Sequence, residues 1–241
     1  MNALMEVAMI LPKPYWEDAA RGLRVFHGDC RVFLSCFADG EFSAVIADVP
    51  YGVGIADWDV PPDSTVLAEC LRVATGAIIW FGGAKPESVV HFAAMLPRFD
   101  RMLPWSPPQV TGAANPNGMF YSWQPVWCWR IPKTQDVLPQ DRLVKKAYCV
   151  PPRRRGERPA ADHPCLKPEP LLRDLVRAFG GTVEVLDPYC GTGVTGVACA
   201  GLGIPCTLID ADEECCEKTA ARLSEDLSYG KRSLFNQTPM G

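Results

Sequence analysis

The chain has 241 residues, of which 48% are hydrophobic and 22% are charged, and its formal net charge is −4. This composition is enough for the core of one full α/β domain, and it argues against two independent domains and against large-scale disorder. The mild acidity also argues against a protein that coats nucleic acid through bulk positive charge. We therefore expect a single domain over residues 1–241, with a loose tail at 228–241.

The first half of the chain alternates short apolar runs with amphipathic stretches. The apolar runs are typical of buried strands, whereas the amphipathic stretches have the 3.6-residue period of helices. The predicted strands are 23–26, 43–47, 77–81 and 122–130, and the predicted helices are 31–37, 64–74 and 86–95.

The second half shows the same alternation more clearly, and a helix at 168–179 stops at Gly180-Gly181, a common end signal. Strands and helices that alternate in this way predict an α/β fold with three layers, in which a doubly wound, mostly parallel sheet is covered by helices on both faces. The other predicted elements of this half are strands at 183–186 and 205–209 and helices at 194–200 and 213–227.

Two stretches, 104–118 and 137–161, are rich in Pro, Gly and polar residues and do not fit this alternation. Loops of this length in a compact domain are usually functional. The second stretch lies in a basic segment, 130–167, with ten Lys/Arg and four Asp/Glu, so the segment carries +6 and the rest of the chain −10. This asymmetry is typical of a protein with one phosphate-facing side, and a solvated loop with chance basicity is the alternative.

The cysteines and histidines do not indicate a metal site. The eleven cysteines include no Cys-x-x-Cys pair, and the three histidines are scattered. Several cysteines lie in apolar stretches, which is typical of a reducing compartment. The first residues lack the basic start of a signal peptide, and no run is long and apolar enough to span a membrane. We therefore expect a cytoplasmic protein without a metal and without a membrane segment.

A glycine-rich turn follows the predicted strand at 183–186 and opens the next helix. The pattern Gly191-x-Gly193-x-x-Gly196 matches the dinucleotide fingerprint, and Asp210 follows about 20 residues later at the next strand end. Asp187 lies just before this turn, and its carboxylate would repel a pyrophosphate. It would suit an ammonium group instead, as in S-adenosylmethionine, while Asp210 would accept hydrogen bonds from ribose hydroxyls. A NAD-dependent oxidoreductase remains the alternative.

A second motif, Asp48-Val49-Pro50-Tyr51-Gly52, follows the predicted strand at 43–47. The strand delivers an acid at its carboxyl end, where open α/β sheets bind their ligands. The same residues also make a good turn, so a purely structural role is the alternative.

These motifs resemble those of one enzyme family. Asp48-Val49-Pro50-Tyr51 resembles the Asp-Pro-Pro-Tyr catalytic motif of the S-adenosylmethionine-dependent DNA amino-methyltransferases, and the segment 187–193 resembles their Asp-Pro-Phe-x-Gly-Ser-Gly cofactor loop. The segment 163–168 resembles their His-Pro-Thr-Gln-Lys-Pro element, and His27-Gly28-Asp29-Cys30 resembles the Gly-Asp step before the catalytic strand. The catalytic motif precedes the cofactor loop, a permuted order similar to that of the β-class.

The resemblance implies a class I Rossmann-like methyltransferase fold, S-adenosylmethionine as cofactor and double-stranded DNA as partner. It implies that the target base is flipped out of the helix, that Tyr51 stacks on it, and that Asp48 and the Val49 carbonyl accept hydrogen bonds from its amine. The implied catalytic residues are Asp48, Val49, Pro50 and Tyr51. The implied cofactor-binding residues are Asp29, His163, Lys167, Asp187, Pro188, Tyr189, Gly191, Thr192, Gly193, Thr195 and Asp210, with Lys167 pairing with the carboxylate of the methyl donor. The alternatives are a turn residue for Asp29, a helix-entry residue for His163 and a surface residue near a helix start for Lys167.

An acid at the first catalytic position is usual in adenine-N6 enzymes of this type, whereas cytosine-N4 enzymes mostly have Ser there. We therefore expect adenine N6, with cytosine N4 as the alternative. Val49 replaces the first Pro of the motif, which leaves a catalytically silent DNA-binding relative as a further alternative. Target recognition is expected within 107–162, with phosphate contacts from Lys145, Lys146, Arg153, Arg154 and Arg155. We expect a modification enzyme, as in restriction-modification, that works alone on a short target or as a homodimer.

Overall fold

The computed structural model describes residues 11–54, 56–95, 97–106, 123–131, 167–181 and 183–235, with the backbone alone for 226–235. Most of the predicted recognition region 107–162 lies outside these residues. None of the described helices has the length and apolarity that crossing a membrane requires.

The centre of the fold is an eight-stranded mixed sheet with the order β1-β2-β8-β7-β3-β4-β6-β5. Its five central strands, from β2 to β4 in this order, are parallel, while β1, β5 and β6 pair antiparallel at the two sides. The strands are β1 (Trp16–Asp18), β2 (Leu23–His27), β3 (Ala44–Asp48), β4 (Ile78–Phe81), β5 (Arg101–Trp105), β6 (Gln124–Trp129), β7 (Val185–Asp187) and β8 (Cys206–Asp210).

Six described helices connect these strands, and local signals explain where some of them begin. The Asp63 carboxylate accepts hydrogen bonds from the backbone N–H groups of Thr65 and Val66 and so caps the second helix. A proline in the first turn opens the third and fourth helices. The helices are α1 (Cys30–Cys36), α2 (Ser64–Val73), α3 (Pro86–Ala94), α4 (Glu169–Phe179), α5 (Val194–Ala200) and α6 (Glu213–Phe235).

Two apolar clusters cover the two faces of the sheet. Along β3, Ile46 belongs to a cluster that includes Leu175 of α4, Val197 of α5 and Leu223 of α6. Its neighbours Val45 and Ala47 belong to the other cluster, which contains apolar residues of α1 and α2. Successive residues of this strand are therefore buried on opposite faces of the sheet, so the sheet is the middle layer between two layers of helices. The expected α/β class with a mostly parallel sheet is therefore confirmed.

The structure departs from the expected elements at three places. Neither β1 nor β5 was expected, and β5 ends inside the stretch 104–118 that we expected to be a loop. Both are outermost strands, where a short, half-buried segment leaves a weak pattern and where Pro104 is tolerated. Helix α6 continues to Phe235, so part of the expected loose tail at 228–241 is helical. An established helix continues through residues of low helix propensity such as Gly230, because each costs only about 1 kcal/mol.

Candidate active site

Three carboxylates lie at the carboxyl ends of adjacent parallel strands. Asp48 ends β3, Asp187 ends β7 and Asp210 ends β8, and these strands are neighbours in the sheet. All three line one cavity of about 930 Å³, which Tyr51 and Thr192 also line. The fold thus brings the two motifs, almost 140 residues apart in the chain, into a single pocket.

The turn between β7 and α5 is held by its neighbours on both sides. The Asp210 carboxylate accepts a hydrogen bond from the Gly191 N–H at 2.7 Å. The Thr219 hydroxyl of α6 donates to the Gly191 carbonyl at 2.9 Å, and Arg222 donates to the Thr192 carbonyl at 3.2 Å. Gly191 and Gly193 both have positive φ, 51° and 77°, which explains why glycine occupies these positions.

Asp187 is only 2% exposed, and its environment opposes ionisation. The pKa of Asp187 is raised to about 7, mainly by burial and also by the charges of Asp48 and Asp210, against hydrogen bonds from the Thr195 side chain and the Tyr189 N–H that lower it. A second anion such as a pyrophosphate would be repelled by this row of carboxylates, whereas a cationic ligand would be stabilised. The charge of the pocket therefore favours a ligand with an ammonium group over a dinucleotide.

The Thr192 hydroxyl also indicates a ligand. It is buried in the cavity wall and has no hydrogen-bond partner among the described residues. Buried hydroxyls are almost always satisfied, so this group is suited to a polar atom of a bound molecule. Asp29, which caps α1 by accepting a hydrogen bond from the Arg31 N–H at 2.9 Å, lines the same cavity, as do Pro188 and Tyr189.

The catalytic motif forms a compact polar network with one lysine. The Lys167 ammonium lies 2.6 Å from the Asp48 carboxylate and donates to the Tyr51 hydroxyl at 2.8 Å. The Tyr51 hydroxyl in turn donates to the other oxygen of Asp48. Val49 is 2% exposed and packs in the core cluster of α1 and α2, which anchors the backbone between Asp48 and Pro50.

Comparison with known proteins gives a family match and structural relatives. Residues 122–222, which include the glycine-rich turn, match the family model described as DNA methylase. The Type II methyltransferase M2.MboI of Moraxella bovis is 22% identical over 227 residues, covering 77% of this chain and 82% of the relative. The Type II methyltransferase M2.LlaDCHI of Lactococcus lactis subsp. cremoris is 35% identical over a shorter stretch of 78 residues, which is 32% of this chain and 29% of the relative.

Two solved structures have the same fold. The M1.HpyAVI–SAM complex has a TM-score of 0.57 and 17% identity, covering 83% of this chain and 98% of that chain. The PvuII DNA methyltransferase, described as cytosine-N4-specific, has a TM-score of 0.60 and 14% identity, covering 90% of this chain and 94% of that chain. Structural matches at such low identity establish the fold alone. The family match includes the cofactor loop.

By these matches the chain is similar to the S-adenosylmethionine-dependent DNA amino-methyltransferases. The resemblance seen in the sequence is thereby confirmed, as is the enzyme class. The family match does not reach the motif at 48–51, whose assignment depends on its position in the shared pocket.

Lys167 lines the same cavity and contacts the motif at 48–51. Its ammonium bonds to Asp48 and Tyr51, and the expected pairing with the carboxylate of the methyl donor stays a prediction. Its side chain is only 5% exposed, so a nearby carboxylate is the natural partner for its charge. Its ammonium also lies over aromatic rings, at 5.4 Å from the centre of Tyr51, 5.2 Å from Phe81 and 5.6 Å from Trp105.

Other expected residues of the methyltransferase are placed only in part. Thr195 is buried beside Asp187 and lines the pocket. His163 and the five expected phosphate contacts, Lys145, Lys146, Arg153, Arg154 and Arg155, lie outside the described residues. Sequence reasoning missed Asp59, which is 7% exposed and lines the same pocket. Its signal was an acid between the apolar residues Trp58 and Val60, shortly after the catalytic motif.

A pair of alanine substitutions tests the packing of the cofactor turn. Gly193→Ala places a methyl group 2.5 Å from Cγ2 of the buried Thr219, whereas the methyl of Gly191→Ala meets nothing within 4 Å. Both substitutions also strain a positive φ, at a cost of about 1 kcal/mol. We expect Gly193→Ala to lower the free energy of unfolding by about 1–3 kcal/mol more than Gly191→Ala, because the clash adds to the strain.

Urea denaturation of the two variants and of the wild-type protein measures this difference. Equal losses for the two variants would contradict the tight approach of α6 to the turn.

Proposed function

We propose that this methyltransferase transfers a methyl group to the N6 amino group of adenine in double-stranded DNA. The proposal rests on Asp48, an acid at the first catalytic position, which lies in the same cavity as Asp187 and Asp210. An acid at that position is usual in the adenine-N6 enzymes that the motif resembles.

The cofactor half of the proposed site consists of the row of carboxylates and the glycine turn. Asp187 would bind the ammonium group of S-adenosylmethionine, and Asp210 would accept hydrogen bonds from its ribose hydroxyls. The unpaired Thr192 hydroxyl would bind a further polar atom. When bound, S-adenosylmethionine supplies a methyl group made electrophilic by a positively charged sulfur. The buried carboxylates fit this cation, and they fit a nicotinamide dinucleotide poorly because of its pyrophosphate.

The catalytic half of the site handles the amine. The adenine amino group is conjugated with its ring and is a weak nucleophile, so it must be reached outside the base stack at a cost of a few kcal/mol. Stacking on Tyr51 would return about 1–3 kcal/mol. The Asp48 carboxylate and the Val49 carbonyl would accept hydrogen bonds from the two N–H groups of the amine. These hydrogen bonds direct the nitrogen lone pair toward the methyl group. Catalysis of this kind depends on orientation and electrostatics rather than on a covalent intermediate.

Lys167 adds a feature that the motif alone does not predict. It holds one Asp48 oxygen at 2.6 Å, while Tyr51 holds the other. Two donors on one carboxylate set the orientation of its plane, so that it can receive the amine without rearrangement. Because Lys167 is buried among aromatic rings, this arrangement is stiff.

The second candidate is methylation of cytosine N4. Its amine presents the same pair of N–H donors, and the PvuII relative of similar fold is described as cytosine-N4-specific. One experiment separates the two. Purified protein is incubated with labelled S-adenosylmethionine and unmethylated genomic DNA, and the DNA is digested to nucleosides and analysed by mass spectrometry. Detection of N6-methyldeoxyadenosine supports the proposal, whereas detection of N4-methyldeoxycytidine means that the target base is cytosine. If no methylated base forms while DNA and cofactor still bind, the protein is a catalytically silent relative.

Replacing Lys167 tests its role in orienting Asp48. In Lys167→Met the Asp48 carboxylate loses its charged partner and keeps only the Tyr51 hydroxyl as a donor, so its orientation is less fixed. We expect turnover at saturating cofactor and DNA to fall about ten-fold, equivalent to about 1.4 kcal/mol of activation energy. The affinity for S-adenosylmethionine should stay within two-fold, since Asp187 and Asp210 are untouched.

The matched control is Lys13→Met, because Lys13 is exposed and is not one of the residues that line the cavity. Turnover is measured from initial rates of methyl transfer and affinity by calorimetry. If Lys167→Met weakens cofactor binding and leaves turnover intact, Lys167 contacts the donor as the sequence first indicated.

A further inference from the structure

The loop that follows the catalytic motif is held by a single buried carboxylate. One oxygen of Asp59 accepts hydrogen bonds from the backbone N–H groups of Tyr51 at 2.8 Å and Gly52 at 2.9 Å. Its other oxygen accepts from Val53 at 2.8 Å and Gly54 at 2.9 Å. Asp59 is 7% exposed, so these contacts are largely protected from water. Four consecutive backbone donors thus converge on one side chain.

The backbone of this loop is shaped for that carboxylate. Gly52 and Gly54 have positive φ values of 68° and 74°. Left-handed residues at alternate positions turn successive N–H groups toward one side, which makes a concave site for an anion. Here the anion belongs to the chain itself. Hydrogen bonds to an ionised carboxylate are stronger than those between neutral groups, so Asp59 determines the path of residues 51–54.

That path leads directly to the proposed catalytic groups. Tyr51 supplies the first of the four N–H donors, and its hydroxyl bonds to Asp48 and accepts from Lys167. Moving the Tyr51 backbone would therefore move both its ring and its contact with Asp48. Lys85 donates to the Val53 carbonyl at 3.1 Å and ties the same loop to the start of α3.

We propose that Asp59 is a positioning residue for methyl transfer, which fixes the Tyr51–Gly54 backbone and through it the aromatic and carboxylate groups that receive the target amine. The inference rests on the proposed function of Asp48 and Tyr51. Asp59 acts through Tyr51, because its own oxygens are occupied by the loop. An amide cannot replace it, since the NH₂ group of Asn would face two N–H donors.

The test compares Asp59→Asn with Asp57→Asn. Asp57 is exposed in the same loop. Asp57→Asn therefore makes the same carboxylate-to-amide change at a residue that does not make the four contacts of Asp59. For Asp59→Asn we expect turnover at saturating cofactor and unmethylated genomic DNA to fall at least ten-fold, with the dissociation constant for S-adenosylmethionine within two-fold of wild type. For Asp57→Asn both quantities should equal those of the wild-type protein. Turnover within two-fold of wild type in Asp59→Asn would overturn the proposal.

A split between turnover and cofactor affinity separates positioning from a structural role. If turnover, cofactor affinity and melting temperature all fall together in Asp59→Asn, Asp59 merely stabilises the fold and the proposal is overturned. Should this variant fail to fold, Gly54→Ala decides, because its methyl group meets nothing within 4 Å and strains only the loop backbone. Loss of turnover with cofactor binding retained in Gly54→Ala supports the proposal, and full turnover overturns it.

The wild-type protein in the same assay separates this inference from the proposed function. If the wild type transfers no methyl group, the proposed function fails and the positioning role fails with it. If the wild type is active and Asp59→Asn is equally active, only the role of Asp59 fails.

Discussion

Asp48→Ala is expected to abolish methyl transfer, with a loss of at least about 100-fold in turnover, the range seen when one preorganised group is removed from an active site. The variant lacks the acceptor that would orient the target amine, and it also frees Tyr51 and Lys167 from their shared partner. Cofactor binding should persist, because the cofactor turn is held by Asp210 and α6 rather than by Asp48. Initial rates of methyl transfer and calorimetric titration with S-adenosylmethionine measure the two quantities.

A double variant distinguishes a loss of catalysis in Asp48→Ala from a loss of stability. Removing Asp48 leaves the buried Lys167 ammonium without its carboxylate, which lowers stability. The double variant Asp48→Ala with Lys167→Met removes both charges, so it should regain thermal stability while remaining inactive. An active double variant would exclude Asp48 from the reaction.

Asp187→Asn is expected to weaken the binding of S-adenosylmethionine by at least about 100-fold, since a buried charged partner contributes about 3 kcal/mol or more. The amide cannot supply the negative charge that an ammonium group requires. NAD should bind neither protein, because Asp48 and Asp210 remain in the pocket. Calorimetric titration of both proteins with both compounds gives the result. Tight binding of NAD by the wild-type protein would instead support an oxidoreductase.

The raised pKa of Asp187 gives this binding a characteristic dependence on pH. In the ligand-free protein its pKa is about 7, because the group is buried beside two other carboxylates. A cationic ligand needs the ionised form, so protonation competes with binding as the pH falls. We expect affinity to fall by about ten-fold per pH unit below pH 7 in the wild-type protein. Asp187→Asn should show no such slope between pH 7 and pH 5.

The same pKa has the opposite effect on stability. Its value of about 7 in the folded protein exceeds the reference value of 3.8, so the folded state holds this proton more tightly than the unfolded state. Stability is therefore lost as the pH rises from about 4 to 7, by up to about 4 kcal/mol. Without cofactor, Asp187→Asn should melt at a higher temperature than the wild type at pH 8 and at a similar temperature at pH 4. An equal melting temperature at pH 8 would mean that Asp187 is ionised at little cost.

The sequence by itself determined the class of fold and the three aspartates that the pocket brings together. Apolar runs at 43–47, 183–186 and 205–209 each led to an aspartate, and the carboxyl ends of parallel strands meet at one edge. The sequence also predicted the glycine-rich turn. Gly191 and Gly193 have positive φ values, which favour glycine, and this requirement is visible in the sequence. These features are local, and each depends on a few consecutive residues.

Only the tertiary structure decided which charged groups meet. Lys167 lies 119 residues from Asp48 in the chain, yet its ammonium is 2.6 Å from the Asp48 carboxylate. In the sequence, Asp59 is an ordinary acidic residue of a loop. In the structure, the turn of the backbone at Gly52 and Gly54 directs four N–H groups toward its carboxylate. The pattern of burial along a chain shows which face of an element points inward. The partner of a buried charge depends on how distant segments pack, and no local pattern encodes this.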